Sequence, residues 1–309
     1  MVLALVAMSA LIRAQQPAAL AVGFGQFQHT VLDNDRSDFF YADAFGMTIR
    51  QVPGNPYGAL PGDGALTNTP ERSRLIRSGG LFGTAGQPGA LSMEFVHFTN
   101  IDVTPGGARV QDPGNAILLL TVPDLNAALA NVRKARGEVV EGTPTLAAAA
   151  GGSALVRDLD GFLISLAESP APSARVGLVV DNLEHAAEFY RKLGVDVRPT
   201  SAYKTSGAAG LREMTMNGVN APVQMVLLEF QRVDRKPMHK RLSDYGAPAM
   251  ALTVRDCDAA ASVAKASGGS VYSTGGACLH QTQNGMPFNR AFVRDADGFL
   301  LEFLQRGNP

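Results

Sequence analysis

The chain has 309 residues, too many for one ordinary small domain, and at roughly 150 residues per domain it suggests two. Charged residues make up 18 % and the formal net charge is -1, so it lacks the clustered Lys and Arg excess with which a nucleic-acid surface displaces counterions. Small molecules remain as the expected partners, and 46 % hydrophobic residues with 33 Gly, 18 Pro and no Trp fit substantial cores built from many short strands and turns.

An apolar run, Val2 to Ile12, opens the chain. It is too short to span a bilayer, which takes about 20 residues, and it resembles the apolar region of a signal peptide cleaved after Ala14. A basic start is missing, since Arg13 follows the run. The expectation for residues 1–16 is a signal peptide of an exported protein, periplasmic or extracellular, with a disordered N-terminus of a cytoplasmic protein as the alternative. No later segment can cross a membrane.

Phe27 to Leu32 reads as a strand, Asp33 to Ser37 as a helix cap and Gly46 as the helix end. Met47 to Arg50 is a second strand, and Gln51 to Gly89 is a Pro- and Gly-rich insertion before the closing strand Ala90 to Phe98. The pattern then recurs. Ala116 to Val122 is an apolar strand, and Asp124 starts a helix with Leu125, Ala128, Leu129 and Val132 on one stripe. Glu138 to Glu141 and Ala154 to Leu166 supply its later strands. After the linker 169–173, Arg175 to Val180, the helix with Leu183, Ala186, Ala187 and Tyr190, and the closing strand Val223 to Phe230 repeat the first unit. Met250 to Val254 and the stripe Cys257, Ala260, Ala261 and Ala264 repeat the second. Val156 to Leu163 and Val293 to Leu300 share V-R-D-x-D-G-F-L, an Asp-Gly hairpin whose Gly takes positive φ without steric cost. A duplicated pair of units is the economical reading.

Cys257 and Cys278 match no zinc spacing; a pair in an exported protein and two small buried hydrophobes both stay open, with the unpaired state favoured.

The βαβββ order, the helix end Phe-Tyr-Arg-Lys-Leu-Gly at 189–194 and the closing Arg-Asp-Ala-Asp-Gly-Phe-Leu-Leu-Glu-Phe at 294–303 resemble the vicinal oxygen chelate superfamily, which groups glyoxalase I, bleomycin resistance proteins and extradiol dioxygenases. The resemblance spans about residues 24–306. It implies an α+β fold of four βαβββ modules with curled mixed sheets. They would form two glyoxalase-like domains, 24–168 with the 51–89 insertion and 174–306.

In that family paired modules curl their sheets around a cup, and a divalent metal sits on side chains of the first and last strands of each module. Carried over, those positions are His29 and Glu94, Ile117 and Ser165, Arg175 and Glu229, and Ala249 and Glu302. The implied protein binds a small oxygenated organic molecule as a lyase, isomerase or dioxygenase. One divalent metal (Fe, Mn, Zn or Ni) on His29 and Glu94 would act as Lewis acid, with Glu94 or Glu302 moving a proton. His280 is a further candidate acid or base. Arg175, Glu229 and Tyr203 are candidates for substrate binding, with Arg175 also a candidate ion-pair partner of Glu302. No other cofactor is expected, and monomer and homodimer stay open. Missing ligands at Ile117, Ser165, Arg175 and Ala249 keep an alternative: a metal-free sequestering protein of the bleomycin-resistance type.

Overall fold

The structure is a computed structural model that describes residues 19–50, 63–105, 107–141, 145–148, 153–200, 203–206, 210–217 and 223–307. The expected signal peptide at 1–16 lies outside them, as do residues 51–62 of the expected insertion.

Four modules follow one another. The first is β1 (Ala21–Thr30), α1 (Asn34–Phe45), β2 (Thr48–Ile49), α2 (Asp63–Thr67), β3 (Arg74–Phe82) and β4 (Leu91–Thr99). The second is β5 (Ala116–Val122), α3 (Leu125–Lys134), β6 (Glu138–Val140), β7 (Thr145–Ala148), β8 (Ser153–Arg157) and β9 (Leu163–Glu168). The third is β10 (Ser173–Val179), α4 (Leu183–Lys192), β11 (Asp196–Pro199), β12 (Tyr203–Ser206), β13 (Gly210–Asn217) and β14 (Gln224–Gln231). The fourth is β15 (Pro248–Val254), α5 (Cys257–Ala266), β16 (Ser270–Val271), β17 (Leu279–Gln283), β18 (Met286–Arg294) and β19 (Leu300–Arg306).

Each main helix starts where a short polar side chain accepts a bond from a free N–H of its first turn: Asp33, Asp124, Asn182 and Asp256. The apolar stripes expected on α4 and α5 are buried. The 51–89 segment is more regular than its Pro and Gly content suggests. It contains α2 and also β3, which pairs with β4 from Arg74 to Phe82. Gly79, at φ 144, allows this, because a Cβ there would fall 2.2 Å from the Met93 carbonyl oxygen.

Among the described residues the strands form two large open mixed sheets. One has the order β16-β18-β19-β15-β1-β4-β3-β2, with β17 on β18, and the other β11-β13-β14-β10-β5-β9-β8-β6. The first module therefore shares its sheet with the fourth, through antiparallel β1 and β15. The second shares with the third, through β5 and β10. The sequence leaves the pairing of the modules open, and the strand order sets the first beside the fourth and the second beside the third. The expected linker 169–173 joins β9 to β10 within one sheet.

Consecutive modules are joined instead by the repeated hairpin. Asp158 Oδ1 accepts the N–H groups of Asp160 (2.9 Å) and Phe162 (2.8 Å), which closes its own turn around Gly161 at φ 81. Its Oδ2 meets Tyr41 Oη (2.9 Å) and His29 Nε2 (2.7 Å) of the first module. Asp160 accepts the N–H of Leu32 at 3.0 Å. The second copy repeats this: Asp295 accepts from Asp297 N (3.0 Å), Phe299 N (2.9 Å) and Tyr190 Oη (2.8 Å), and Asp297 from Asp181 N (2.9 Å). Arg157 and Arg294 donate to the carbonyls of Gly161 and Gly298, which gives every polar residue of V-R-D-x-D-G a partner.

The copies differ in charge. Asp295, buried and near Asp297, is pushed up to about 7 by burial first and its acidic neighbour second. Burial also raises Asp158, but the His29 charge and the hydrogen bonds from His29 and the turn outweigh it and hold that carboxyl below its ordinary range.

Cys257 and Cys278 form a disulfide that ties the start of α5 to the segment before β17, contrary to the favoured unpaired state. Their spacing matches no motif because the fold, not the local sequence, brings them together. No helix among the described residues is long and apolar enough to cross a membrane.

Asp295 in the folded chain titrates above its unfolded value of about 3.9, so its contribution to stability is complete below about pH 4 and is lost as pH rises through 7. Urea unfolding of Asp295→Asn should show a smaller fall in midpoint between pH 5 and 8 than the parent. Asp158 has the opposite sign, its contribution fading as pH falls. Reducing the disulfide, which closes a separation of 21 residues, should lower the unfolding free energy by about 3 kcal/mol in the same assay.

Candidate functional site

Side chains alternate faces along a strand, so a shift of one residue exchanges the site for the core. On β1 the helix-facing set includes Phe27 and His29. His29 is fully buried, stacked on Phe162 with ring centroids 4.6 Å apart and edge-on to Phe95 at 6.1 Å. It lies within reach of Asp158 and Asp160, and the three form a candidate metal-binding group whose ligand atoms all fall within 4.8 Å of one another. Asp158 accepts four hydrogen bonds and Asp160 accepts from Leu32 N and Ser37 Oγ, while the buried His29 Nδ1 has no hydrogen-bond partner among the described residues. The group ties the first module to the second, and strand parity sets His29 on the face of β1 opposite to the one that meets Glu94, so the expected pair His29 and Glu94 is not brought together.

Gln28, next along β1, faces the other way. It pairs in parallel with Glu94 on β4 and opposite Ala249 on β15. Gln28 Nε2 donates to Glu302 Oε2 at 2.5 Å. Glu302 stands on β19 beside Ala251, on the face that carries Val96, Phe98, Ala249, Phe292 and Leu300. Glu94 and Glu302, read from the sequence as members of separate sites, thus meet in one, because the first and fourth modules share a sheet.

Both carboxylates are largely shielded, with side chains 15 % and 6 % exposed. Burial pushes Glu94 up to about 7, the Arg77 charge opposes this and the charge of Glu302 adds to it. Arg77 Nε lies 3.8 Å from Glu94, and Arg290 Nη1 lies 3.9 Å from Glu302.

Gln28, Leu119, Gly177 and Ala251 each stand five residues before a helix N-cap, and each pairs in parallel with the closing strand of its module: Glu94, Ser165, Val226 and Glu302. The expected first-strand positions His29, Ile117, Arg175 and Ala249 lie one or two residues from this frame, and Glu229 three residues after Val226. Counting back from each cap would have found Gln28 in the sequence. In the second sheet the frame gives only Ser165 as a polar group, on a face filled by Ile117, Leu119, Leu155, Val226, Leu228 and Phe230.

The other expected residues lie elsewhere. Glu229 is on the helix side, where it accepts from Leu183 N (2.9 Å), Arg212 (3.3 Å) and Gln231 (3.1 Å) and secures the start of α4. Arg175 pairs along β10 with Leu119 in the second sheet, whereas Glu302 stands on β19 in the first. His280 is 61 % exposed and 3.2 Å from Asp258 on α5, outside the cup. The backbone of Tyr203 pairs with β7, and its side chain lies outside the described residues.

Gln28, Glu94 and Glu302 suit a divalent cation. Two carboxylates balance its charge, an amide oxygen is a further hard donor once the Gln28 side chain is flipped, and Ala251 leaves a coordination position open. The mutual repulsion that helps raise Glu94 is what a cation would relieve.

Residues 173–303 match the family model described as Glyoxalase/Bleomycin resistance protein/Dioxygenase superfamily. The resemblance read from the helix-end and hairpin motifs, which fall in this half, is thereby borne out. A search of curated proteins finds no match. Among solved structures, glyoxalase I from Zea mays aligns with a TM-score of 0.57 and 19 % identity over 93 % of this chain and 92 % of its own. Two mutants of the same maize enzyme align at 0.58 with 17 % identity, covering 93 % of each chain, and at 0.59 with 19 % identity, covering 93 % and 92 %. At these identities the likeness carries the fold, four modules in two sheets, and not the activity.

His29→Leu, which copies Leu178 at the same distance before its N-cap, should cost about 3 kcal/mol in urea unfolding at pH 7, because Asp158 keeps a buried charge without its partner.

Proposed function

We propose that the cup of the first sheet binds a small oxygenated organic molecule at a divalent cation held by Gln28, Glu94 and Glu302. The observation that carries this is the arrival of Glu94 and Glu302, from the two ends of the chain, on one face of the first sheet, near enough for the charge of Glu302 to act on Glu94, with Gln28 bonded to Glu302 and standing beside Glu94 in the strand register. A cation bound there would polarise a substrate oxygen as a Lewis acid. Glu94 would take or return a proton at the substrate carbon beside that oxygen. The apolar wall of Val96, Phe98 and Phe292 excludes water from the reacting atoms. Both sheets are complete within one chain, which supports a site that needs no second subunit. The disulfide supports work in an oxidising compartment, in line with export.

A metal-free binding protein is the second reading, favoured by Arg77 and Arg290, which already offset the charge of the two carboxylates. Elemental analysis and titration of the full chain with Mn, Ni, Zn and Fe separate the two. The proposal expects one equivalent of cation and at least a tenfold loss of affinity in Glu94→Gln and in Glu302→Gln, with His29→Leu retaining the stoichiometry. A chain that takes up no cation, or whose uptake survives both Glu substitutions and fails in His29→Leu, sinks it.

A further inference from the structure

Beside Glu94 a narrow cleft of about 50 Å3 opens along β3, lined by Gln26, Arg50, Arg77, Ser78, Gly79, Met93 and Glu94. A water needs roughly 10–15 Å3 of such space, so the cleft holds one small polar group and not a whole substrate. Its wall is low because Gly79 has no side chain, and a Cβ at Gly79 would lie 2.2 Å from the Met93 carbonyl oxygen.

Two guanidinium groups reach this space from different strands. Arg77 approaches Glu94 only to 3.8 Å, beyond hydrogen-bond distance, and its buried Nε has no hydrogen-bond partner among the described residues. Arg50, just past β2, is exposed and gives an Nη2 bond to Ser92 Oγ at 2.8 Å, which anchors the side chain and, among the described residues, leaves other N–H groups available. Glu302 is engaged by Gln28 and faces Arg290, so its charge is not what these two arginines answer. Two cations facing one carboxylate leave the cleft with a positive excess, in the planar fork geometry that matches a carboxylate.

Resting on the cation-cup reading for its neighbour Glu94, we propose that the substrate is a small organic acid whose carboxylate sits in this cleft between Arg50 and Arg77. That placement sets the atoms next to the carboxylate against Glu94 and leaves the rest of the molecule in the cup. Arg50 and Arg77 are then specificity-determining residues, and the neutral amide of the same acid is rejected because it leaves both guanidinium groups without their counter-charge.

The test is calorimetric titration of lactate and pyruvate, with lactamide as the neutral control, into the full chain after chelator treatment and again after loading with Mn. Expected are saturable binding of both acids, at least tenfold weaker binding of lactamide, and at least tenfold weaker binding of the acids by Arg50→Gln. Arg50→Lys should fall between, since it keeps charge and loses the fork. Arg50 is exposed, so its variants are expected to fold, which circular dichroism checks, and Mn uptake by Arg50→Gln should match the parent. Equal binding of acid and amide, or acid binding unchanged in both Arg50→Gln and Arg77→Gln, overturns the assignment. Loss of Mn uptake with acid binding intact fails the cation reading alone.

Discussion

A buried aspartate in a hairpin turn is the interaction on which this architecture depends. Each of Asp158 and Asp295 closes its own turn with two backbone N–H groups and spends its remaining oxygen on the helix of the preceding module. The desolvation of a carboxylate is offset only when its lone pairs are filled, and here the donors come from two modules at once. The hairpin and the strand-to-helix turn it grips therefore form as one unit. This back-to-back grip frees the open edges of the sheets to pair with other modules, β1 with β15 and β5 with β10.

Duplication then produced two sheets of like topology and unlike chemistry. The four positions five residues before the helix caps lie in equivalent places, yet the first sheet fills them and their parallel partners with Gln28, Glu94, Ala251 and Glu302 and the second with Leu119, Ser165, Gly177 and Val226. One face carries two carboxylates; the other is largely apolar, with Ser165 and Arg175 as its polar members. The charged face keeps its cost tolerable through counter-ions, Arg77 and Arg290, and through the shift of Glu94 towards its neutral form.

The sequence made the modules legible because their signals are local: a capping Asp or Asn, an apolar stripe at helical period, and an Asp-Gly turn between apolar runs. It also pointed to Glu94 and Glu302 through the closing strands. What it hid is long-range or fine-grained. Which module shares a sheet with which depends on edge pairing between strands more than two hundred residues apart, such as β1 and β15, and no local pattern records it. Strand parity puts His29, the more obvious metal ligand in the sequence, on one face of β1 and Gln28 on the other, so His29 meets Asp158 while Gln28 stands beside Glu94. The disulfide escaped for the same reason as the sheet pairing, since Cys257 and Cys278 meet only once α5 is laid on the fourth module.

The nesting of the strand order sets a timetable for synthesis. The middle modules share one sheet, so as the chain emerges that sheet can close once β14 has appeared, whereas β1 must wait for β15 and β19 at the far end. Through that interval the first module presents an unpaired β1 edge, with Gln28 and Glu94 in place and Glu302 still to come. A chaperone that shields this edge, or a disulfide machinery that joins Cys257 to Cys278 only after the last strand is delivered, would govern the yield of the charged cup without touching the apolar sheet.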